Sequence, residues 1–443
     1  MERLTIFPKI AEHDPVAYNN GCLITYKKLL NDVAYLVKYL PRQQYQTNLC
    51  ENRYKFLVGF LAALTLDQIV LLPPNMAKLE IENIQKQHCS SYRLIDNPQD
   101  IDGDNYYLYD QLSESCIITQ SESRISFPTH QTAIKLYTSG TTGTPVSHIK
   151  TWGMLYKGAL LTGKRMGLHK VHPFASLATV PHQHMYGLEA SIMLPLVWNG
   201  IITSWKPFMP EDISDYAAEL SYPIILATTP FHISSCVKVK LRITNITKII
   251  SSTALFSQTL AKQIHNLFSA ETNEIYGSTE TGAIATRNTA ETNTWTLLPG
   301  MVIQSAHDSF LVDIPHYDMP IRLHDRLEII DDSNFSLLGR HSDMIKIAGK
   351  RASLGDLNAK LLEIECIEDG VFYVAEEVNG VTLRMSAFIV SAESNRARIM
   401  NALRERIDPA FVPRRLHFIV EVPRNETGKI NKDSLSKLFR ELC

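Results

Sequence analysis

The sequence has little of what would make it a disulfide scaffold, a membrane protein or a polyanion binder. Its seven cysteines (Cys22, Cys50, Cys89, Cys116, Cys236, Cys366 and Cys443) are scattered, odd in number and never spaced as Cys-x-x-Cys. That pattern argues against a disulfide framework or a zinc site and fits reduced thiols in a cytoplasmic protein. Neither sign of charge dominates: 44 Lys and Arg face 46 Asp and Glu, a formal net charge of -2, which argues against general binding of nucleic acid or membrane surfaces. The longest apolar run, Phe56 to Leu66, is about half the ~20 residues needed to span a bilayer, so no membrane insertion is expected. The first residues carry early charges and Pro8 but no apolar signal core. No internal repeat or long low-complexity tract is present.

What is present is an ordinary globular composition, 45% hydrophobic and 20% charged, over 443 residues, a length that suggests at least two folding units. After Ile24 to Tyr26, the positions Leu29, Leu30, Val33, Leu36, Val37 and Leu40 mark an amphipathic helix that Pro41 stops. The apolar run from Phe56 predicts a buried helix followed by a short buried strand that ends at Pro73. Helix and strand patterns then alternate as in an α/β sheet with covering helices. Gln111 to Gln131 is polar and serine-rich, and reads as a surface segment.

The stretch Lys135 to Pro145, KLYTSGTTGTP, has no periodic apolar face and cannot pack as an amphipathic helix or a half-buried strand. Thr138, Ser139, Thr141 and Thr142 offer hydroxyls, and Gly140 and Gly143 let backbone come close to a ligand. Such a run is a cradle for phosphate oxygens or a surface linker. It is not a Walker A loop, because no Lys-Ser/Thr follows the second glycine.

Further along, His182 and His184 stand two apart between Pro181 and Gly187. They read as pocket-shaping residues rather than metal ligands, since no third ligand is near in sequence. Tyr276-Gly277-Ser278-Thr279-Glu280 combines an aromatic face, which can stack a purine, with a carboxylate that can hold Mg²⁺; a polar turn beside a core tyrosine is the plainer account. Asp325 and Arg340 flank two short strands joined by Asp331-Asp332-Ser333-Asn334, a hairpin that brings both side chains to one end. A structural ion pair would explain them equally. Lys429 lies in a glycine-flanked turn before a last helix. Past Arg340 the pattern is that of a compact α+β unit.

Together these stretches resemble the adenylate-forming superfamily of acyl-CoA synthetases, 4-coumarate-type aryl-CoA ligases, luciferases and peptide-synthetase adenylation domains. YTSGTTGTP is similar to its phosphate loop, PHQHMYG to its substrate-pocket segment with His184 at the recurrent histidine, and YGSTE to its adenine and metal motif. Asp325 with Arg340, and PRNETGKI with Lys429, complete five motifs in the family's order.

The resemblance implies a large N-terminal adenylation domain of mixed sheets with covering helices (1–340) and a small mobile α+β domain (341–443). It implies ATP and Mg²⁺ as cofactors, with CoA or a phosphopantetheinylated acyl carrier protein as acceptor and a carboxylic acid as substrate. Thr138, Ser139, Gly140, Thr141, Thr142 and Gly143 would take the β/γ-phosphates. Thr253, Ala254, Tyr276 and Gly277 would take the adenine, and Thr279 the α-phosphate. Glu280 would hold the metal, Asp325 and Arg340 the ribose, and His184, Tyr186 and Gly187 the acid's pocket. Lys429 would bridge carboxylate and α-phosphate.

The chain departs from the pattern in three places. Val146 stands where the phosphate loop ordinarily ends in lysine, with Lys150 nearby as a possible substitute. Ser342 occupies the hinge-aspartate position, so the hinge falls at about His341 to Asp343. Ala352 to Asp356 replaces a segment that shapes thiol delivery. The N-terminal part is also short, as in synthetases that load carrier proteins. A binder of the same fold without catalysis, or an adenylating enzyme with a non-thiol acceptor, are the rival readings.

Overall fold

A helix that is apolar on every side must be covered on every side. In the computed structural model of this protein that helix is Arg53–Thr65, and Phe56, Leu57, Phe60 and Leu61 along it are fully buried. It starts at Asn52, whose side chain accepts from the Lys55 N–H at 3.1 Å. It packs against strands of two different sheets: Tyr45–Asn48 and Ile69–Leu72 on one side, Pro15–Asn19 and Ile201–Thr203 on the other. The structure describes residues 2–98, 105–112, 124–138, 146–254, 256–307, 309–340, 344–347, 350–374, 385–391, 396–424, 430 and 432–442.

The first of these sheets has six strands, in spatial order Val146–Thr151, Thr132–Thr138, Ile69–Leu72, Tyr45–Asn48, Ser91–Ile95 and Tyr106–Leu108. All neighbours are parallel except the first pair. The second has eleven strands. Its parallel centre runs Ile201–Thr203, Ala175–Ala178, Ile224–Thr228, Ile246–Ser251 and Glu271–Ser278. Helices on both faces explain why Ile224–Thr228 is buried at every position. Beyond Glu271–Ser278 the sheet turns antiparallel through Gly282–Asn288, Trp295–Leu297, Asn334–Arg340 and Asp325–Ile329. A separate core forms near the C-terminal end, in which Leu357, Leu361, Ile399 and Leu403 cover the strands Asp369–Val374, Met385–Val390 and Arg415–Phe418.

This is the α/β architecture of large mixed sheets with covering helices that the sequence pattern predicts. After Ser257 a helix runs Gln258–Phe268, closed by Ser269 at φ 55°. The expected hairpin pairs Asp325 directly with Arg340. One expectation needs correcting. Residues 113–123 of the polar stretch lie outside the described residues, but Ser126–Pro128 is a strand paired with Arg3–Thr5, and Phe127 is buried. Alternation of Ile125 and Phe127 with polar neighbours outweighs the overall polarity. Among the described residues, no helix is long and apolar enough to cross a membrane.

The short helix Met185–Leu188, which follows His184, sits directly on the Pro181–His182 backbone. A Cβ at Gly187 would overlap the Pro181 carbonyl oxygen and approach the His182 Cα to 3.2 Å, so only glycine fits. Gly187→Ala is expected to cost about 2–3 kcal/mol, a fall of roughly 3–4 °C in Tm for a unit of this size. An unchanged melting curve would show that this backbone can shift freely.

Candidate active site

The site gathers around a turn between two strands, Glu271–Ser278 and Gly282–Asn288. At its base Gly277 faces Gly282, and a Cβ on Gly277 would overlap the Gly282 carbonyl oxygen. Gly282 itself takes φ +67°, which disfavours other residues. Between them Ser278 and Thr281 close the turn: the Ser278 N–H donates to Thr281 Oγ1 at 2.9 Å and the Thr281 N–H to Ser278 Oγ at 3.3 Å. Thr279 and Glu280 are thereby held half-exposed at the tip.

On one side of the turn is Tyr276, buried between Trp295 and Phe335 with ring centroids 5.5 and 5.6 Å away. Its hydroxyl donates to Asp325 Oδ2 at 2.7 Å. The structure thus brings together Tyr276 and Asp325, which are 49 residues apart. Arg340 is opposite Asp325 in the strand register. Thr253 follows the neighbouring strand at φ +77°, a conformation rarely taken by a β-branched residue. Ser252 before it donates to the Ile275 carbonyl at 3.0 Å, which ties the Thr253–Ala254 backbone to the strand carrying Tyr276.

On the other side is the hairpin of the Thr/Gly loop. Thr138 pairs with Val146, so the loop is closed at its base; Ser139, Gly140, Thr141, Thr142 and Gly143 lie outside the described residues. The strand Val146–Thr151 turns His148 and Lys150 toward the Glu280 turn. His148 Nε2 is 3.2 Å from Thr138 Oγ1 and 3.8 Å from Glu280 Oε1. Lys150, only 1% exposed, donates to the Glu280 carbonyl and, at 2.8 Å, to the Tyr317 hydroxyl. Val146 is half-exposed. The cation that the sequence suggests as a substitute at the loop is instead beneath the neighbouring turn.

The electrostatics follow from burial. Burial lowers Lys150 to about 8, opposed by the Glu189 and Glu280 carboxylates. Burial raises Glu189 to about 7, opposed by the Ala283 N–H and by Lys150. His316 falls to about 4 through burial, with Lys157 and Lys150 adding to it. Burial alone would raise the Glu280 carboxyl, but hydrogen bonds from Ser278 and its own backbone, with His148 and His324, hold it below the ordinary range. Glu280 is therefore held as an anion, the form in which a carboxylate can bind a divalent cation.

The histidine pair divides. His184 is the residue that precedes the helix Met185–Leu188, without a side-chain capping bond, and is half-buried. His182 is 2% exposed and donates from Nε2 to the Cys50 carbonyl at 2.9 Å, so it secures the loop rather than shaping a pocket. Among the described residues no group of three metal-ligating side chains occurs. The Tyr186 hydroxyl reaches the Thr228 and Ile250 carbonyls, both at 2.8 Å, bridging two strands at their C-terminal ends, where ligands of open α/β sheets bind. Arg53 works from behind, donating to the Ala178 and Val180 carbonyls at 2.7 and 2.8 Å and to that of Trp205.

Lys429 is outside the described residues, but Arg424 and Ile430 form a bridge on either side of it. Arg424 pairs with Asp369 at 2.8 Å and lies over Phe231 at 5.8 Å. Phe231 is the second residue of the helix Pro230–Lys238, three residues past the strand Ile224–Thr228.

Sequence reading overlooked His148, Lys150 in its actual place, Glu189 and Tyr317. A signal existed for Glu189, a lone carboxylate within the apolar run GLEASIMLPLV. Alternation along VSHIK places His148 and Lys150 on one face, but nothing local says that the face is buried.

The fold is that of solved acyl- and aryl-CoA synthetases. Over 98% of each chain it matches the o-succinylbenzoate CoA synthetase MenE of Bacillus subtilis, solved with an acyl-adenylate, with a TM-score of 0.82 at 15% identity. The anthranilate CoA ligase AuaEII matches at 0.83 and 13% identity over 98% of this chain and 96% of that one. ATP-bound MatB of Rhodopseudomonas palustris matches at 0.80 and 16% identity, over 98% and 97%. The AMP-binding enzyme family model matches residues 9–338, and the chain belongs to that family. A 4-coumarate–CoA ligase of Halorhodospira halophila is 27% identical over 68% of this chain and 75% of its own; one from Rhodobacter capsulatus is 28% identical over 66% and 73%.

His182 supplies a test of the loop. Burial, with Arg53 adding to it, pushes its imidazole well below the usual 6.5. The unfolded chain then binds a proton that the folded one does not, so the site's full stability is present above about pH 6.5 and is lost as pH falls. His182→Gln, which can still donate to Cys50, is expected to flatten the decline of Tm between about pH 7 and 5. A decline as steep as wild type would contradict a buried neutral His182.

Proposed function

We propose that this protein is an AMP-forming acid–thiol ligase. A carboxylate oxygen of an aryl or acyl acid attacks the α-phosphorus of ATP, the bond from that phosphorus to the bridging oxygen breaks, and pyrophosphate leaves. A phosphopantetheine thiol then attacks the acyl carbon of the acyl-AMP, AMP leaves, and the thiol proton passes to solvent or a base. Attack of one anion on another needs fixed positive charge and aligned donors.

The observation that carries the reading is the convergence of three separate motifs on one turn. Glu280 lies 3.8 Å from His148, His148 lies 3.2 Å from Thr138, and Tyr276 holds Asp325 at 2.7 Å. In this reading Thr138 to Gly143 take the β/γ-phosphates, while Tyr276, Gly277, Thr253 and Ala254 take the adenine. Asp325 and Arg340 take the ribose, Thr279 the α-phosphate, and His184 stands by the acid. Mg²⁺, held by Glu280, would offset phosphate charge. Lys429 would bridge the acid and the α-phosphate.

Domains at 1–340 and 341–443 would then turn about residues 341–343 between the two half-reactions. The exposed ion pair Lys238–Glu368, 3.2 Å long, is weak enough to permit this. A carrier-protein thiol is favoured slightly over free CoA. A peptidyl-carrier-protein ligase of Pseudomonas savastanoi is 29% identical, though over only 24% of this chain. Retention of Glu280, Asp325, Arg340 and Lys429 favours an enzyme over a binder, and a cytoplasmic setting would supply ATP and keep thiols reduced.

Lys429→Ala is expected to slow acyl-AMP formation about 10²-fold or more, while thioester formation from supplied acyl-AMP stays within a few-fold of wild type. Single-turnover assays of the two steps, with CoA and with a phosphopantetheinylated carrier protein, read both outcomes and name the acceptor. Equal loss of both steps would contradict the role given to Lys429.

A further inference from the structure

Three side chains from a strand, a loop and a helical turn grip the back of the Glu280 turn. Lys150, from the strand Val146–Thr151, donates to the Glu280 carbonyl. Tyr317 accepts from Lys150 at 2.8 Å and donates to the Thr281 carbonyl at 2.9 Å. Glu189 accepts the Ala283 N–H at Oε1, 3.1 Å. Glu189 opens a π-helical turn, Glu189–Met193, a departure from α-helix that re-aims side chains and recurs at functional sites. A Cβ at Gly282 would come within 2.8 Å of Glu189 Oε1, so the carboxylate fills the space that the glycine leaves.

Burying an ammonium is costly, and a neutral donor could satisfy two oxygens as well. A charge here does more than close hydrogen bonds. It sits behind a turn whose front presents Glu280, on the strand whose first residue, Val146, leaves the Thr/Gly loop without its lysine. Glu189, placed to offset the ammonium, is engaged by Ala283 behind the turn rather than in front of it.

We propose that Lys150, with Tyr317 and Glu189, is a positioning residue that fixes the Thr279–Glu280 tip for metal-bound polyphosphate and supplies from behind the positive charge that Val146 does not. The inference rests on the adenylating reading above and concerns polyphosphate with its metal, not the nucleoside.

The test is binding of ATP across a Mg²⁺ titration, beside binding of AMP without metal, by calorimetry on the full chain. Lys150→Met keeps the bulk and removes the charge. It is expected to raise the Mg²⁺ needed for half-maximal ATP binding about tenfold, while AMP affinity stays within about twofold and Tm shows the fold intact. Tyr317→Phe, which loses one hydroxyl, should shift the Mg²⁺ requirement the same way by a smaller factor, and it carries the test if Lys150→Met does not fold. A wild-type Mg²⁺ requirement in the folded variants, or parallel loss of ATP and AMP binding, would overturn the inference. Wild-type protein that binds ATP no better with Mg²⁺ than without would instead reject the adenylating reading, and is measured first.

Discussion

The site depends on the close return of the chain at Gly277 and Gly282. Because no side chain fits between these residues, two strands of the large sheet meet backbone to backbone and leave a short polar tip. Everything around the tip takes its place from that approach. Tyr276 is the last buried residue before it and reaches sideways to Asp325. Glu280 projects from it toward His148 and the Thr138 hairpin. A wider turn would separate the two groups, since the six-stranded and eleven-stranded sheets are joined at this edge through Lys150 and Glu280.

Around that constraint the protein keeps several charges dry. Arg53 is buried with its two terminal nitrogens on main-chain carbonyls and, among the described residues, no carboxylate ion pair, and burial lowers it to about 9. Lys150 is almost as buried, with Glu189 set against it. Such groups are poor sources of stability, because desolvation offsets most of what their partners return. Their value is directional. Each closes backbone carbonyls at a strand end or the turn beside it: those of Ala178, Val180 and Trp205 for Arg53, and that of Glu280 for Lys150.

Much of this was legible in the residues. Alternating helix and strand patterns, the buried run from Phe56 and the turn sequence Asp331 to Asn334 each reflect local periodicity or turn chemistry, and each is in place in the structure. The motif residues Thr138, Tyr276, Glu280 and Asp325 were identifiable because their residue types are unusual for a core or a plain loop. The supporting residues were not. Nothing near Lys150 in sequence announces that its strand is covered by the loop bearing Tyr317, since that burial is decided 167 residues away. His182 and His184 look equivalent in sequence, yet one is buried on the Cys50 carbonyl and the other stands half-buried before a short helix, a difference set by a contact 132 residues distant. Phe127 was hidden for the opposite reason, as a short buried strand within a stretch whose average is polar.

The central claim is that this turn, with the loop and carboxylates around it, activates a carboxylic acid with ATP. The most direct measurement is ATP–pyrophosphate exchange over a panel of aryl and fatty acids, with Mg²⁺ and no thiol acceptor. The account predicts exchange that appears only with particular acids and vanishes when the acid is omitted, which would also name the substrate class. Measurable ATP binding with no exchange for any acid would contradict it and leave a nucleotide binder of the same fold.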